Sequence, residues 1–125
     1  KSNYISSANQ LTISHGSNIE NVVTGKGDDT IIGTDFDNLI LTGAGSDTIF
    51  AGAGADKIKS GAGADRIDLS ESEQSRDTIS LDAPSMASDI DTVYGFSQGA
   101  LGDILDASEI SSSFYGERQF SLFFL

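Results

Sequence analysis

Cysteine is absent from this chain of 125 residues, so it contains neither a disulfide nor a thiolate metal site. Tryptophan is absent too, and basic residues are scarce. Seven Lys and Arg stand against 19 Asp and Glu, for a formal charge of −12. That balance excludes a basic nucleic-acid footprint, and an anionic membrane surface would repel the chain. No apolar run approaches the length of a membrane span, and no signal peptide is legible. Only one histidine occurs, His15, with no HExxH around it, so a zinc-protease centre is excluded. The chain therefore reads as non-enzymatic. A bound metal is left as the staple that disulfides provide elsewhere.

What the chain does contain is a period. Ile31, Ile40, Ile49, Ile58 and Ile67 recur every nine residues, each preceded by two positions by Asp29, Asn38, Asp47, Asp56 or Asp65. Four units also carry Gly-x-Gly upstream: Gly25 and Gly27, Gly43 and Gly45, Gly52 and Gly54, Gly61 and Gly63. Six residues of turn and three of strand make a half-coil. Two half-coils make a right-handed coil of a flattened, all-β parallel roll, with each Ile packed inward between two sheets. The glycines permit turn angles closed to other residues and let carbonyls approach an ion. Disorder is the alternative for an acidic, Gly-rich stretch. The unbroken isoleucine period argues against it, provided the carboxylates are neutralised.

The donors present suit calcium, which takes roughly six to eight oxygens, mixing carboxylates with backbone carbonyls. Alternate units share an edge, so Asp29, Asp47 and Asp65 are expected along one side and Asn38 and Asp56 along the other. Ions are expected between the first and third, third and fifth, and second and fourth units. The second unit carries Phe36 in place of a Gly and Asn38 in place of an Asp, which predicts a weaker site. An isolated unit would be read as a glycine turn capped by its own Asp; five units in register favour metal. An EF-hand fails, because Asp35-x-Asp37 and Asp89-x-Asp91 lack the loop's glycine. Phosphate-cradling glycine motifs are absent as well. An ordered Thr row, as ice binding would need, is also missing: the third turn position reads Lys26, Asp35, Ala44, Ala53 and Ala62.

Outside the array, residues 1–23 read as capping strands, around Tyr4-Ile5 and Leu11-Thr12-Ile13 and at 18–23. The roll spans 24–79 and includes a degenerate sixth unit ending in Arg76-Asp77-Thr78-Ile79, its turn spoiled by an insertion at 69–73. Residues 80–125 form a C-terminal cap, a short β-sheet with strands at 91–96 and 103–106, and one helical turn is conceivable near Ala107-Ser108-Glu109. The whole reads as one structural domain cut from a longer chain. Ile32, Leu39, Leu41 and Phe50 flank the inward isoleucines of the early units, whereas Lys57, Lys59, Arg66 and Asp68 flank the later ones. The early faces are expected to be covered, by residues 1–23 or by a preceding domain.

The units resemble the RTX nonapeptide of Gram-negative proteins exported by type I secretion. More narrowly, LTISHGSNIENVV followed by GKGDDTIIG and FDNLIL is similar to the lead-in of the C-terminal β-roll of serralysin-type metalloproteases. DTVYGFSQGALGDILDAS resembles that family's closing sheet. The resemblance implies an extracellular, calcium-binding module that folds outside the cell. Its partners would be the type I secretion apparatus and a preceding catalytic domain, whose zinc motif this chain lacks. The alternative is a calcium-stiffened adhesin or glycan-binding module, with an adhesive domain preceding it.

Overall fold

Short strands, most of them three residues long and rich in Thr, Ile and Val, alternate with glycine turns, and a three-residue strand has room for one inward side chain. The computed structural model describes residues 2–4, 10–12, 20–71, 75–80, 90–97 and 102–106. Among the described residues the strands are β1 (Ser2–Tyr4), β2 (Gln10–Thr12), β3 (Asn21–Val23), β4 (Thr30–Ile32), β5 (Leu39–Ala44), β6 (Thr48–Phe50), β7 (Lys57–Ala62), β8 (Arg66–Asp68), β9 (Thr78–Ser80), β10 (Thr92–Tyr94) and β11 (Ile104–Asp106). Odd strands form one sheet in the order β1-β3-β5-β7-β9-β11, and even strands form the other, β10-β8-β6-β4-β2. Every pairing among the described residues is parallel. The chain thus winds between two facing sheets, as the nine-residue period predicts.

The register aligns the isoleucines. Ile40 pairs with Ile58 and Ile58 with Ile79 in one sheet, and Ile31 pairs with Ile49 and Ile49 with Ile67 in the other. With Val22 and Val93 these residues are at most 1% exposed and form the core, which Phe96 and Leu105 extend. The core is one side chain deep on each side, so every half-coil relies on its neighbours for burial.

Two expectations about the array's ends are corrected. The strands at 92–94 and 104–106 do not make a capping sheet of their own. They join the roll, β10 beside β8 and β11 beside β9, because Val93 and Leu105 fall in register with Ile67 and Ile79. The insertion after Leu69 changes the sixth turn but not the strand that follows it: Thr78 still pairs with Lys57. The described parts of the N-terminus, β1 and β2, extend the sheets edgewise beside β3 and β4 and do not lie over the outward faces. Leu39 and Phe50 remain 38% and 39% exposed. The helical turn near Ala107 and the lone His15 lie outside the described residues.

The geometry predicts a sharp contrast between adjacent positions. Ile49→Asp places an unpaired charge between Ile31 and Ile67, at a cost of several kcal/mol, and the roll fails to form even in excess calcium. Phe50→Ser, on the outward side of the same strand, leaves it intact. Circular dichroism reads both; a native β signal from Ile49→Asp would show that Ile49 does not face inward.

Candidate metal centre

The turns stack along two edges, and the stacking explains the glycines. Gly43 and Gly45 adopt φ of +108° and +137°, where side chains are strained. A Cβ on either would strike the turn below, at the carbonyl of Gly25 or Gly27. The same holds for Gly61 over Gly43, Gly63 over Gly45 and Gly52 over Thr34, while Gly54 would strike the Phe36–Asp37 peptide. Gly27 also has positive φ, but Gly25 does not. Backbone bonds tie the layers: Ala44 N donates to Gly25 O, Gly27 N to Ala44 O and Gly45 N to Ala62 O. Carbonyls of successive turns therefore crowd along each edge.

Aspartates line these edges in two ladders. On the first, Asp29 N donates to Asp47 Oδ1 at 2.8 Å, Asp47 N to Asp65 Oδ1 at 2.9 Å, and Asp65 N to Asp91 Oδ1 at 3.0 Å. On the second, Asn38 N donates to Asp56 Oδ1 at 2.7 Å, Asp56 N to Asp77 Oδ1 at 2.8 Å, and Asp77 N to Asp103 Oδ1 at 2.9 Å. The structure thus brings together Asp29, Asp47 and Asp65 on one side and Asn38 and Asp56 on the other, as the period implies. It adds Asp77, Asp91 and Asp103, which nine-residue counting misses because their turns are longer. The legible signal was Asp-Thr-Ile and Asp-Thr-Val at 77–79 and 91–93, the same dipeptide-plus-aliphatic as in the regular units.

Asp47, Asp65 and Asp91, and likewise Asp56, Asp77 and Asp103, thus each commit one oxygen to the preceding coil's backbone. Among the described residues, the second oxygens of Asp47, Asp56, Asp65 and Asp77 are buried with no hydrogen-bond partner, as is Glu71 Oε2. Native proteins seldom leave such groups unpaired, so each calls for an explanation. Burial raises the carboxyl of Asp47 above its ordinary range and lifts Asp56 to about 8, Asp65 to about 7 and Asp77 to about 6. Neighbouring carboxylates add to the shifts: Asp77 and Glu71 act on Asp56, and Asp91 and Asp47 act on Asp65. Buried, inward-held anions of this kind fit a hard divalent cation. No three acidic or histidine side chains gather as a finished metal site among the described residues. An ion on these edges would therefore combine at most two carboxylates with backbone carbonyls, which is calcium's habit.

The edges are not equivalent. On the first, Thr24 Oγ1 donates to Thr42 O and Thr42 Oγ1 to Ser60 O, both at 2.7 Å, forming a buried hydroxyl ladder. The second edge has Gly33, Ala51 and Leu69 at those positions. Its first turn is closed from within: Thr34 N donates to Asn38 Oδ1 at 2.9 Å, and Asn38 Nδ2 donates to Thr34 Oγ1 at 3.2 Å. The Asn38 amide thus serves its own turn.

The family profile of the RTX calcium-binding nonapeptide repeat matches the chain in four copies, across residues 16–35, 23–58 and 32–67. No curated protein matches the chain.

The raised carboxyls have a consequence for metal-free protein. A folded-state value above the ordinary 3.8 means that the folded chain holds its protons more tightly than the unfolded one. That stabilisation is full below about pH 4 and is lost as pH rises through about 6 to 8. In chelator, a melting transition present at low pH, where the carboxyls hold their protons, should therefore move down and be lost across this window. A melting temperature that is flat, or that climbs with pH, would contradict the burial of these groups.

Proposed function

We propose, from the match of residues 16–67 to the RTX calcium-binding nonapeptide repeat, that the chain is a calcium-dependent folding module of a secreted protein. Repeats of this family are typical of secreted proteins. The observation that carries the proposal is the stack of buried carboxylate oxygens with no partner at Asp47, Asp56, Asp65 and Asp77. Bound calcium supplies two positive charges and a flexible oxygen shell. On the first edge Asp29, Asp47 and Asp65 would hold it with carbonyls of the turns that carry Gly25, Gly27, Gly43, Gly45, Gly61 and Gly63. On the second, Asp56 would do so with the turn that carries Gly52 and Gly54. Asn38 contributes little there, because its amide oxygen closes its own turn.

Without a cation, the like charges of each ladder repel across the coil spacing, and ordering a glycine-rich turn costs on the order of 1–2 kcal/mol per residue. Folding and calcium uptake therefore become one coupled event. Extracellular modules bind calcium at roughly 10⁻⁴–10⁻³ M, so the chain stays open in a calcium-poor cytoplasm and closes outside. An open chain suits passage through a type I secretion channel. Its parent is, on this reading, an extracellular enzyme of the serralysin-like metalloprotease kind, stabilised by the closed roll. The parts of Leu39 and Phe50 that stay exposed suit contact with a preceding catalytic domain. An adhesin parent would use the same calcium switch to stiffen a ligand-bearing face.

Small-angle scattering in chelator and then in millimolar calcium tests the switch. The radius of gyration should fall from roughly 36 Å toward about 14 Å, the values for an unfolded and a folded chain of this length. Equal compactness in both conditions, with no metal carried over, would overturn it. Within the ladder, Asp47→Ala should raise the calcium midpoint more than Asp29→Ala, because Asp47 stands between two neighbours and Asp29 begins the row. Equal midpoints by calorimetry would rule out shared sites on that edge.

A further inference from the structure

The ladder on the second edge differs at its two ends from its interior. Inside it, the second oxygens of Asp56 and Asp77 are buried with no partner among the described residues. At the far end Asp103 is fully engaged. Its Oδ1 accepts from Asp77 N at 2.9 Å, and its Oδ2 accepts from Ser97 N at 2.7 Å and from Ser97 Oγ at 3.1 Å. Asp103 N returns a bond to Ser97 O at 2.9 Å. At the near end, Asn38 is bonded by Thr34 through both its amide atoms. Asp56 has Gly52 four residues before it, where Asn38 has Thr34, so no hydroxyl is offered there.

The Ser97 N–H and O–H bring their positive ends to Asp103 Oδ2, the atom that corresponds to the unpaired oxygens of Asp56 and Asp77. A cation placed at that oxygen would be repelled by both donors, so serine here stands in for a countercharge. The coil that carries Ser97 and Asp103 is also seated without charge. Gly95 has φ of +75°, and a Cβ there would lie 2.6 Å from Ser70 N, so its backbone rests directly on the turn below. Leu69 N donates to Tyr94 O at 2.9 Å and Ile104 N to Asp77 O at 2.7 Å. Phe96 and Leu105 pack against the core from the same coil.

We propose that Ser97 and Asp103 form a cation-independent clasp that fastens the coil of β10 and β11 to the roll. With Thr34 and Asn38 at the other end, it confines the metal response of the second edge to the carboxylates between them, Asp56 and Asp77. A ladder whose last member kept an unpaired buried oxygen would need a cation at its terminus too; the serine donors remove that need. Asp103 is then a structural group and not a metal ligand, although it continues the same ladder. The confinement rests on the calcium reading above, whereas the clasp rests only on the bonds between Ser97, Asp103 and Asp77.

Asp103→Asn keeps the side chain's shape but turns one oxygen into an NH2 group, which cannot accept from Ser97. In millimolar calcium, amide exchange followed by NMR should show the Ser97 N–H exchanging faster by on the order of tenfold or more. Native mass spectrometry and calorimetry should meanwhile show the ion count and midpoints of the parent chain. Loss or weakening of an ion in Asp103→Asn would make Asp103 a ligand and overturn the clasp, as would unchanged exchange at Ser97. Asp77→Asn should weaken an ion; if it titrates as the parent does, the confinement is wrong. Should Asp103→Asn not fold, Ser97→Ala carries the comparison: a native ion count with faster exchange at the Asp103 amide supports the clasp, and a lost ion or native exchange overturns it. A folded parent chain that takes up no calcium sinks the calcium reading, while the exchange comparison still decides the clasp. A parent chain with no slowly exchanging amides overturns both.

Discussion

The two-handed aspartate is the interaction on which this molecule depends. One carboxylate oxygen takes the backbone N–H of the preceding coil, as Asp47 does from Asp29 and Asp77 from Asp56. The other is left inside the edge. The first oxygen sets the stacking of the coils; the second makes that stacking conditional on a countercharge. A protonated carboxyl can remove the repulsion and a cation can reverse it, but water cannot reach these buried oxygens to do either. Stability and metal response thus come from the same side chains.

The core serves this arrangement by being thin. One aliphatic residue per half-coil, from Val22 to Val93, buries little area for each residue ordered. The turns meanwhile spend many glycines, whose ordering is the most costly of any residue. Such a fold has a small margin without its edges, unlike a globular domain with a deep core. This is why a buried charge at Ile49 and a missing cation at Asp47 are expected to have related outcomes through different causes.

The two edges reach the same ladder by different means. Thr24, Thr42 and Ser60 bond coil to coil through buried hydroxyls, which organises the first edge before any ion is considered. The second edge has Ala51 and Leu69 in that place, an internally closed turn at Asn38, and buried carboxylates at Asp56 and Asp77. Outside both, Arg66 stacks over the Tyr94 ring at 4.1 Å and ties the outward faces of β8 and β10 together.

Much of this was legible in the residues alone. The spacing of Ile31 through Ile67 determined the roll, the inward column and the division of Asp29, Asp47 and Asp65 from Asn38 and Asp56, because every regular half-coil makes identical local demands on its sequence. The glycines marked the turns for the same reason. Asp77 and Asp91 were marked only by their Asp-Thr-aliphatic triplets, while Asp103 as a member of the ladder and the use of Asn38 by its own turn were not legible. Their placement follows from pairing across variable turn lengths: Ile79 must lie against Ile58 and Val93 against Ile67, whatever number of residues intervenes. A period records what neighbouring residues require of each other. Burial of aliphatics between sheets and the carboxylate clamp from coil to coil act between residues remote in sequence. Only the folded chain decides which of them meet.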